Sequence, residues 1–420
     1  HMDILLKAVQ ALLNMGAVAL LPIMICILGL VFRMKFGASL KAGLMVGIGF
    51  QGLSLTVGLL TATIEPITQY YQKMGSGFTA ADIGFAAVGG ASWTVPFAPI
   101  AVPLIVIANF ILLRAGLTKV LNVDIWNYIH FLIPGALAYA LWGNAVLGLA
   151  ITVGLSIAAL YAGQAIAHKW QDFFGLDGTT CSTLSFTTFM YPLSWVINKL
   201  IDHIPGVKDI DIDMKKLEEK LGFFGDPAFV GLIVGIFLGL LTRQAPTTIF
   251  GIGMGIASVL ILIPRMVSIM MEGLTPIGNA ASAYMKKHMG EDAELFIGMD
   301  VALGLGDPAC ITCTAICIPI TILFAFIIPN MVYFPIGLLG IVCYTTVMCV
   351  LASKGNLLRS LICSIASMFL ITFFVNMFVP ECTKMLSVTG LKIQGMVADG
   401  SFGYNLGTVI ICFISKLFGM

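Results

Sequence analysis

The stretch FIGMDVALGLGDPACITC, residues 296–313, sets two carboxylates, Asp300 and Asp307, among glycines in otherwise apolar surroundings. A carboxylate at the centre of a membrane-spanning helix costs about 2.5–3.5 kcal/mol, so each one needs a partner or a task. Asp300 stands between Met299 and Val301 with no basic neighbour in sequence. Two readings are open for it: a cap on a re-entrant helix, or an acceptor for the hydroxyl of a ligand. Asp307 precedes Pro308, the order expected of a helix N-cap followed by proline at the first helical position.

A second polar cluster, NVDIWNYIHF (122–131), spreads Asp124, Asn127 and His130 over a broad helical face, with Trp126 placed opposite. These three either pair with one another or face a wet cavity, where His130 would donate to a sugar-like ligand. Its counterpart in the second half is read as ASKGNLLRS, with Asn356 and Arg359. Trp93, in GASWTVPF, offers a flat face to a ligand's carbon chain or else anchors the membrane interface. The hydroxyl-rich loop GTTCSTLS (178–185), which contains Thr183, is a candidate wall, and Gln51 adds a polar side chain inside an apolar run. Glu65-Pro66 and Glu272 with Thr275-Pro276 read as boundary residues at span ends.

The elements that must hold these residues are membrane helices. Of 420 residues 59% are hydrophobic and only 10% charged, with a mean hydropathy of +1.01. Soluble domains carry about 25% charged residues, so this chain cannot cover a water-facing surface. Its apolar runs are about 20 residues long, which predicts an all-α integral membrane protein rather than a barrel. About ten to eleven crossings are expected, with shorter Gly/Pro-interrupted, re-entrant pieces at 82–95, 176–195 and 296–308. The run 130–163 is too long for one helix and predicts two short or broken ones. A net charge of +1 gives no reason to expect a nucleic-acid partner. Ten cysteines lie mostly inside apolar runs and read as small buried hydrophobes. Cys310, Cys313 and Cys317 share a helical face, yet no His or carboxylate completes a four-ligand set, so no metal is expected.

The expected organisation is a tag scar at 1–2, a first half at 3–197, a connector at 198–227, a second half at 228–380, and a C-terminal segment at 381–420 with the last transmembrane helix. The connector NKLIDHIPGVKDIDIDMKKLEEKLGFFGDP concentrates charge, and its five lysines favour the cytoplasmic side. It is either a solvated linker or part of a docking surface for a soluble partner. The halves resemble each other. At an offset of 210, Leu28-Gly29-Leu30 meets Leu238-Gly239-Leu240, Arg33 meets Arg243, Gly43 meets Gly253 and Pro66-Ile67 meets Pro276-Ile277. ADIGFAAVGGASWTVPFAP then corresponds to LFIGMDVALGLGDPACITC. Paired, interrupted segments at matching places in two halves point to a midplane binding site, often within an inverted repeat.

No Walker A, G-x-S-x-G or H-E-x-x-H motif is present, which argues against ATP hydrolysis and the common hydrolase chemistries. The segments LNVDIWNYIHF, FIGMD followed by ALGLG, PRMVSIMMEGLTPI, FFGLDG, IPGV and KGNLLRSLI resemble the galactitol-type enzyme IIC permeases of the bacterial phosphotransferase system. The resemblance runs from residue 40 to about 370; ascorbate-type permeases look like more distant relatives. It implies two inverted repeats, a core transport domain on a scaffold domain, a homodimer, and elevator-like movement in the bacterial inner membrane. It also implies cytoplasmic IIB and IIA partners, with a phosphocysteine of IIB phosphorylating the sugar, so that the chain is a transporter rather than an enzyme. Asp300, His130 and Trp93 stand at positions matching family motifs. The loop where the family often has a histidine here reads Cys181-Ser182-Thr183.

The resulting expectation is a permease for a galactitol-like hexitol or related polyol, without cofactor or metal, in contact with membrane lipid. An acyclic polyol requires several convergent donors and acceptors, because unpaired buried polar groups are costly. A carboxylate accepts from two adjacent hydroxyls with charge-assisted strength. The expected binding set is Asp300, His130, Asn127, Trp93, Asp124, Asp307, Thr183 and Gln51, with Asp300 also a candidate base. The alternative is an ion-coupled secondary transporter of a small hydroxylated solute, with Asp300 or Asp307 as the coupling site.

Overall fold

The computed structural model describes residues 2–15, 17–74, 78–92, 94–122, 124–389 and 395–419, and most of them are helical. After α1 (Met2–Asn14), the apolar helices α2 (Ala17–Val31) and α3 (Phe36–Met74) form a hairpin. The first half continues through β1 (Ala80–Asp82), α4 (Phe85–Ser92), α5 (Ala98–Arg114) and β2 (Val120–Asn122). It then runs through α6 (Ile125–Trp142), α7 (Ala145–Phe174), β3 (Thr179–Cys181) and a π-helical turn, Phe186–Met190, leading into α8 (Tyr191–Ile201). The long run 130–163 is thus split between two helices, because Gly143 takes φ 65° and Asn144 caps α7 by accepting from the amide of Leu147 at 3.0 Å.

Past the short connector helix α9 (Met214–Leu221), α10 (Pro227–Leu241) and α11 (Pro246–Met289) form a second hairpin. Next come β4 (Phe296–Met299), a 3-10 turn over Val301–Gly306, α12 (Pro308–Ile327), α13 (Ile336–Leu339), α14 (Val342–Ala352) and α15 (Leu357–Met377). The chain closes with α16 (Val379–Ser387), β5 (Met396–Ala398), α17 (Ser401–Tyr404) and α18 (Leu406–Leu417).

The two hairpins turn in the same way. Arg33 sits at φ 64° and Arg243 at φ 54°, both in the left-handed region that non-glycine residues seldom enter. The amide of Met34 bonds the carbonyl of Gly29 at 2.8 Å, and that of Gln244 bonds Gly239 at 3.0 Å. Each turn therefore closes the open carbonyls of its helix end by the same reach-back bond. A second matching feature lies further on: Gly355 takes φ 79° and Asn356 caps α15, as Gly143 and Asn144 do for α7. The sequence match of ASKGNLLRS to the Asp124 stretch is therefore corrected by the structure. Asn356 caps its helix after a left-handed glycine, as Asn144 does, whereas Asp124 caps α6 just after β2.

Helices α3 and α11 pack antiparallel along much of their length. A Cβ on Gly273 would lie 2.5 Å from the carbonyl of Ala42, so only glycine lets the two backbones approach there. At about 1.5 Å per residue, helices of 39 and 44 residues reach far beyond a hydrocarbon core of about 30 Å. Glu65 and Glu272, expected at span ends, sit instead within these continuous helices, with their side chains on outer faces.

Two small parallel sheets tie the halves together. β4, from the second half, lies between β2 and β3 of the first, with Val120 opposite Phe296 and Thr179 opposite Ile297. β1, from the first half, pairs with β5 and bridges to Tyr333 of the second. Among the described residues five helices are long and apolar enough to span a membrane, or six if the bent pair containing α10 counts as one span. The expected ten to eleven crossings would require the shorter apolar helices α2, α5, α13–α14 and α18 to cross as well.

The connector is docked rather than loose. The amide of Leu357 bonds Ile212 O at 2.7 Å, Asn356 Nδ2 bonds Ile210 O at 2.8 Å, and the Arg359 guanidinium pairs with Asp202 at 2.8 Å. Residues 202–212 thus lie across the start of α15.

Candidate functional site

The ends of β2, β3 and β4 gather the acidic and hydroxyl residues. Asp300 follows β4 in extended backbone and caps the 3-10 turn, one carboxylate oxygen accepting from the amide of Ala302 at 2.8 Å. Its own amide donates to Asp124 Oδ2 at 3.1 Å, while Asp124 Oδ1 caps α6 through the amide of Trp126 at 2.9 Å. The amide of Val301 donates to Thr183 Oγ1 at 3.0 Å, and that hydroxyl donates to Asn127 Oδ1 at 2.8 Å. Asn127 Nδ2 in turn reaches Asn122 Oδ1 at 3.0 Å and Ser182 Oγ at 2.9 Å. The polar side chains of this network are all buried, and its bonds hold the Asp300 backbone from both flanking strands.

In front of this network lies a cavity of about 220 Å³. This is below the ~300–1,000 Å³ of drug-sized sites, so it suits a small solute. Asp300, His130 and Ser54 supply polar side chains to the wall. Phe50, Phe85, Trp126, Phe186, Tyr344 and Tyr404 supply aromatic faces. The His130 ring stacks on Phe85 at 5.2 Å, and its Nδ1 shares a hydrogen bond of 2.8 Å with Ser185 Oγ. Phe186 stacks on Tyr404 at 5.3 Å. The wall thus offers apolar ring faces beside a few hydrogen-bonding groups.

Asp300 is 9% exposed, and among the described residues no cationic side chain lies within ion-pair distance of it. One carboxylate oxygen is used by the Ala302 cap, and the residue forms part of the cavity wall. No group of three or more His, Cys, Asp or Glu side chains among the described residues is arranged to hold a metal.

The expected residues fall into three places. Asp300 and His130 line the cavity. Asp124, Asn127 and Thr183 stand behind it, their polar atoms turned to the Asp300 backbone and to each other. Asp307 caps α12 through the amide of Ala309 at 2.9 Å, and Gln51 has an exposed side chain; neither forms part of the wall. Gln51 is displaced because Phe50 and Ser54, one turn apart on α3, are the residues that face inward. Trp93 lies outside the described residues.

Trp126 is on the cavity side, not opposite it. The signal was present in sequence, since residues 126 and 130 are one helical turn apart and share a face. Tyr404 and Tyr344 were not anticipated. A clue to Tyr404 is Asp399, an acid marooned in the apolar C-terminal segment just as Asp300 is in its own.

A set of membrane-length helices around one small, carboxylate-bearing cavity, built where broken helices meet, is the architecture of a solute permease. Residues 11–410 match the family model EIIC-GAT, the "PTS system sugar-specific permease component". The chain is 31% identical over 395 residues to the "PTS system galactitol-specific EIIC component" of Escherichia coli K12, covering 94% of this chain and 87% of that protein. The protein of the same description from Escherichia coli O157:H7 gives the same values. A "Putative permease IIC component" of Escherichia coli K12 is 27% identical over 410 residues, with 97% and 93% covered. The chain belongs to the EIIC-GAT family of phosphotransferase-system permease components. It is a transport component rather than an enzyme, and a multi-pass protein of the inner membrane.

Proposed function

We propose that this permease carries a galactitol-like hexitol or a related sugar alcohol, bound in the Asp300–His130 cavity and presented to a cytoplasmic IIB partner for phosphorylation. Asp300 accepts from ligand hydroxyls with the capacity its Ala302 cap leaves over. His130 meets a further oxygen, and the aromatic wall packs on the carbon chain. Asp124, Asn127 and Thr183 act as positioning residues that hold the Asp300 backbone. The names of the 31%-identical relatives support this substrate class. The observation that carries the reading is a carboxylate, uncompensated by any cation among the described residues, on the wall of a small aromatic cavity.

The same reading includes two inverted repeats, 3–197 and 228–380, joined by the connector 198–227, with a mobile core on a dimeric scaffold and elevator-like transport. The twin turns at Arg33 and Arg243 and the reciprocal placement of β1 and β4 support the repeat. The docked connector, with its lysines, offers the cytoplasmic face to IIB.

The test is galactitol binding to purified protein, followed by IIB-dependent uptake into vesicles, for wild type and Asp300→Asn. Loss of a charge-assisted acceptor is expected to weaken binding by at least about tenfold, in line with ~1.5–3 kcal/mol for such bonds. Wild-type affinity and rate in the variant would sink the assignment. Uptake that needs an ion gradient and no phosphoryl donor would select ion-coupled transport.

A further inference from the structure

Two residues of the cavity wall each carry a buried polar atom with no hydrogen-bond partner. Trp126 Nε1 and Tyr404 Oη are both buried and unpaired, although their rings line the cavity that also holds Asp300. Tyr404 is fully buried. A buried donor left unmade is costly, so native structures keep few of them, and such groups call for a reason. Two at one small cavity share a reason in a ligand.

The chemistry fits an oxygen-rich solute. The Asp300 carboxylate is acceptor-only when ionised, whereas each polyol hydroxyl both donates and accepts. Ser54, His130 and Tyr344 add donors to the wall, yet a polyol has more lone pairs than these can meet. An indole N–H is a donor and nothing else, and a phenol can donate while accepting in turn. Both atoms are sealed from water-sized contact as the wall now stands, so a ligand would reach them only if the two rings turned. Trp126 sits between Phe50, stacked at 6.1 Å, and Phe85 at 6.3 Å, while Tyr404 stacks on Phe186.

We propose that Trp126 Nε1 and Tyr404 Oη are the donor side of the cradle, hydrogen-bonding the oxygens of polyol hydroxyls that themselves donate hydrogen bonds to Asp300. This rests on reading the cavity as the polyol site. It makes the two residues determinants of specificity: a ligand lacking oxygen at the matching carbons loses these bonds and leaves the donors orphaned again.

The experiment is calorimetric binding of galactitol and a series of deoxyhexitols to the purified full chain, as wild type, Trp126→Phe, Tyr404→Phe and Trp142→Phe. Trp142 Nε1 is also buried and unpaired but lies outside this wall, which makes it the control. Trp126→Phe and Tyr404→Phe are expected to weaken galactitol binding by about five- to thirty-fold each, with Trp142→Phe unchanged. Each variant should lose nothing further with the one deoxyhexitol that lacks its partner oxygen, a pattern that a merely structural role would not give. The ligand-induced change in tryptophan fluorescence should be smaller in Trp126→Phe than in wild type. Binding within about twofold of wild type in both variants would overturn the proposal while leaving the polyol site intact. Should a variant fail to fold, the wild-type series decides alone: equal affinity for every deoxyhexitol overturns the proposal. A wild type that binds no acyclic polyol overturns this proposal and the function together.

Discussion

The carboxylate of Asp124 accepts a hydrogen bond from the backbone N–H of Asp300 at 3.1 Å, across 176 positions of sequence. One acidic residue thus fixes the backbone of another without touching the cavity itself. In Asp124→Asn, one amide oxygen can serve the α6 cap or the Asp300 N–H, but the NH2 group would face the remaining donor. Binding of galactitol is expected to fall about tenfold and stability by about 1–3 kcal/mol, measured by calorimetry and thermal unfolding of the same preparation. A variant that keeps wild-type affinity would separate Asp124 from the site.

Gly298 lies in β4 between two neighbouring strands. A Cβ there would press on the Ser182 side chain and lie 3.2 Å from Asn122 Cα, so the strand would have to move. Because Asp300 follows two residues later, Gly298→Ala is expected to displace the carboxylate and abolish measurable binding. The accompanying destabilisation should be about 1–3 kcal/mol, the usual range for overpacking.

The His130–Ser185 bond orients the imidazole from behind. Ser185→Ala removes that partner while leaving the ring's stacking on Phe85 in place. A three- to tenfold loss of affinity is expected, roughly the ~0.5–1.5 kcal/mol of one neutral hydrogen bond. An unchanged affinity would show that stacking alone holds the ring.

The Arg359 guanidinium bonds Asp202 and also the carbonyls of Asn198 and Lys208. Its hydrogen bond holds the Asp202 carboxyl below its ordinary value of 3.8. The folded form therefore gains from this pair above that value and loses the gain only as pH falls through the lower, folded one. Protease cleavage within 203–213 should stay constant from pH 8 to pH 5 in wild type. Arg359→Lys lacks the fork and should be cut faster across that whole range. Equal cleavage of both proteins would mean that the backbone bonds of Ile210 and Ile212 suffice.

Lys216 is engaged with Asp211 and Asp213, whereas Lys215 is exposed on α9. Lys215→Glu is therefore the cleaner probe of partner docking, since Lys216→Glu also breaks contacts within the connector. Lys215→Glu is expected to slow IIB-dependent phosphorylation, with the deficit shrinking as salt rises and screens the charge.

Much of this was legible in the residues. Asp300 announced itself because an unpaired acid in an apolar run is costly, and Asp307 because Asp-Pro is a helix start. The split of the run 130–163 followed from its length, and Arg33 and Arg243 matched at one offset, although nothing in sequence marked them as the turns of two hairpins. What remained hidden depends on contacts between distant segments. Asn127 and Thr183 look like ligand groups in isolation, yet 56 positions apart they bond each other and leave no free polar atom for a ligand. Tyr404 joins the wall only because β5 brings the C-terminal segment back beside β1. Trp126 was a matter of arithmetic: its one-turn spacing to His130 outweighs its neighbourhood.

The lodging of β4 between β2 and β3 has a consequence for biogenesis. While the ribosome is still making the first three hundred residues, β2 and β3 have nothing between them, and their inward-facing amides and carbonyls await a strand not yet synthesised. The Asp300 cavity is consequently among the last parts of the molecule to come into being. A polypeptide released early would insert into the bilayer with an open seam, a ready target for quality-control proteases.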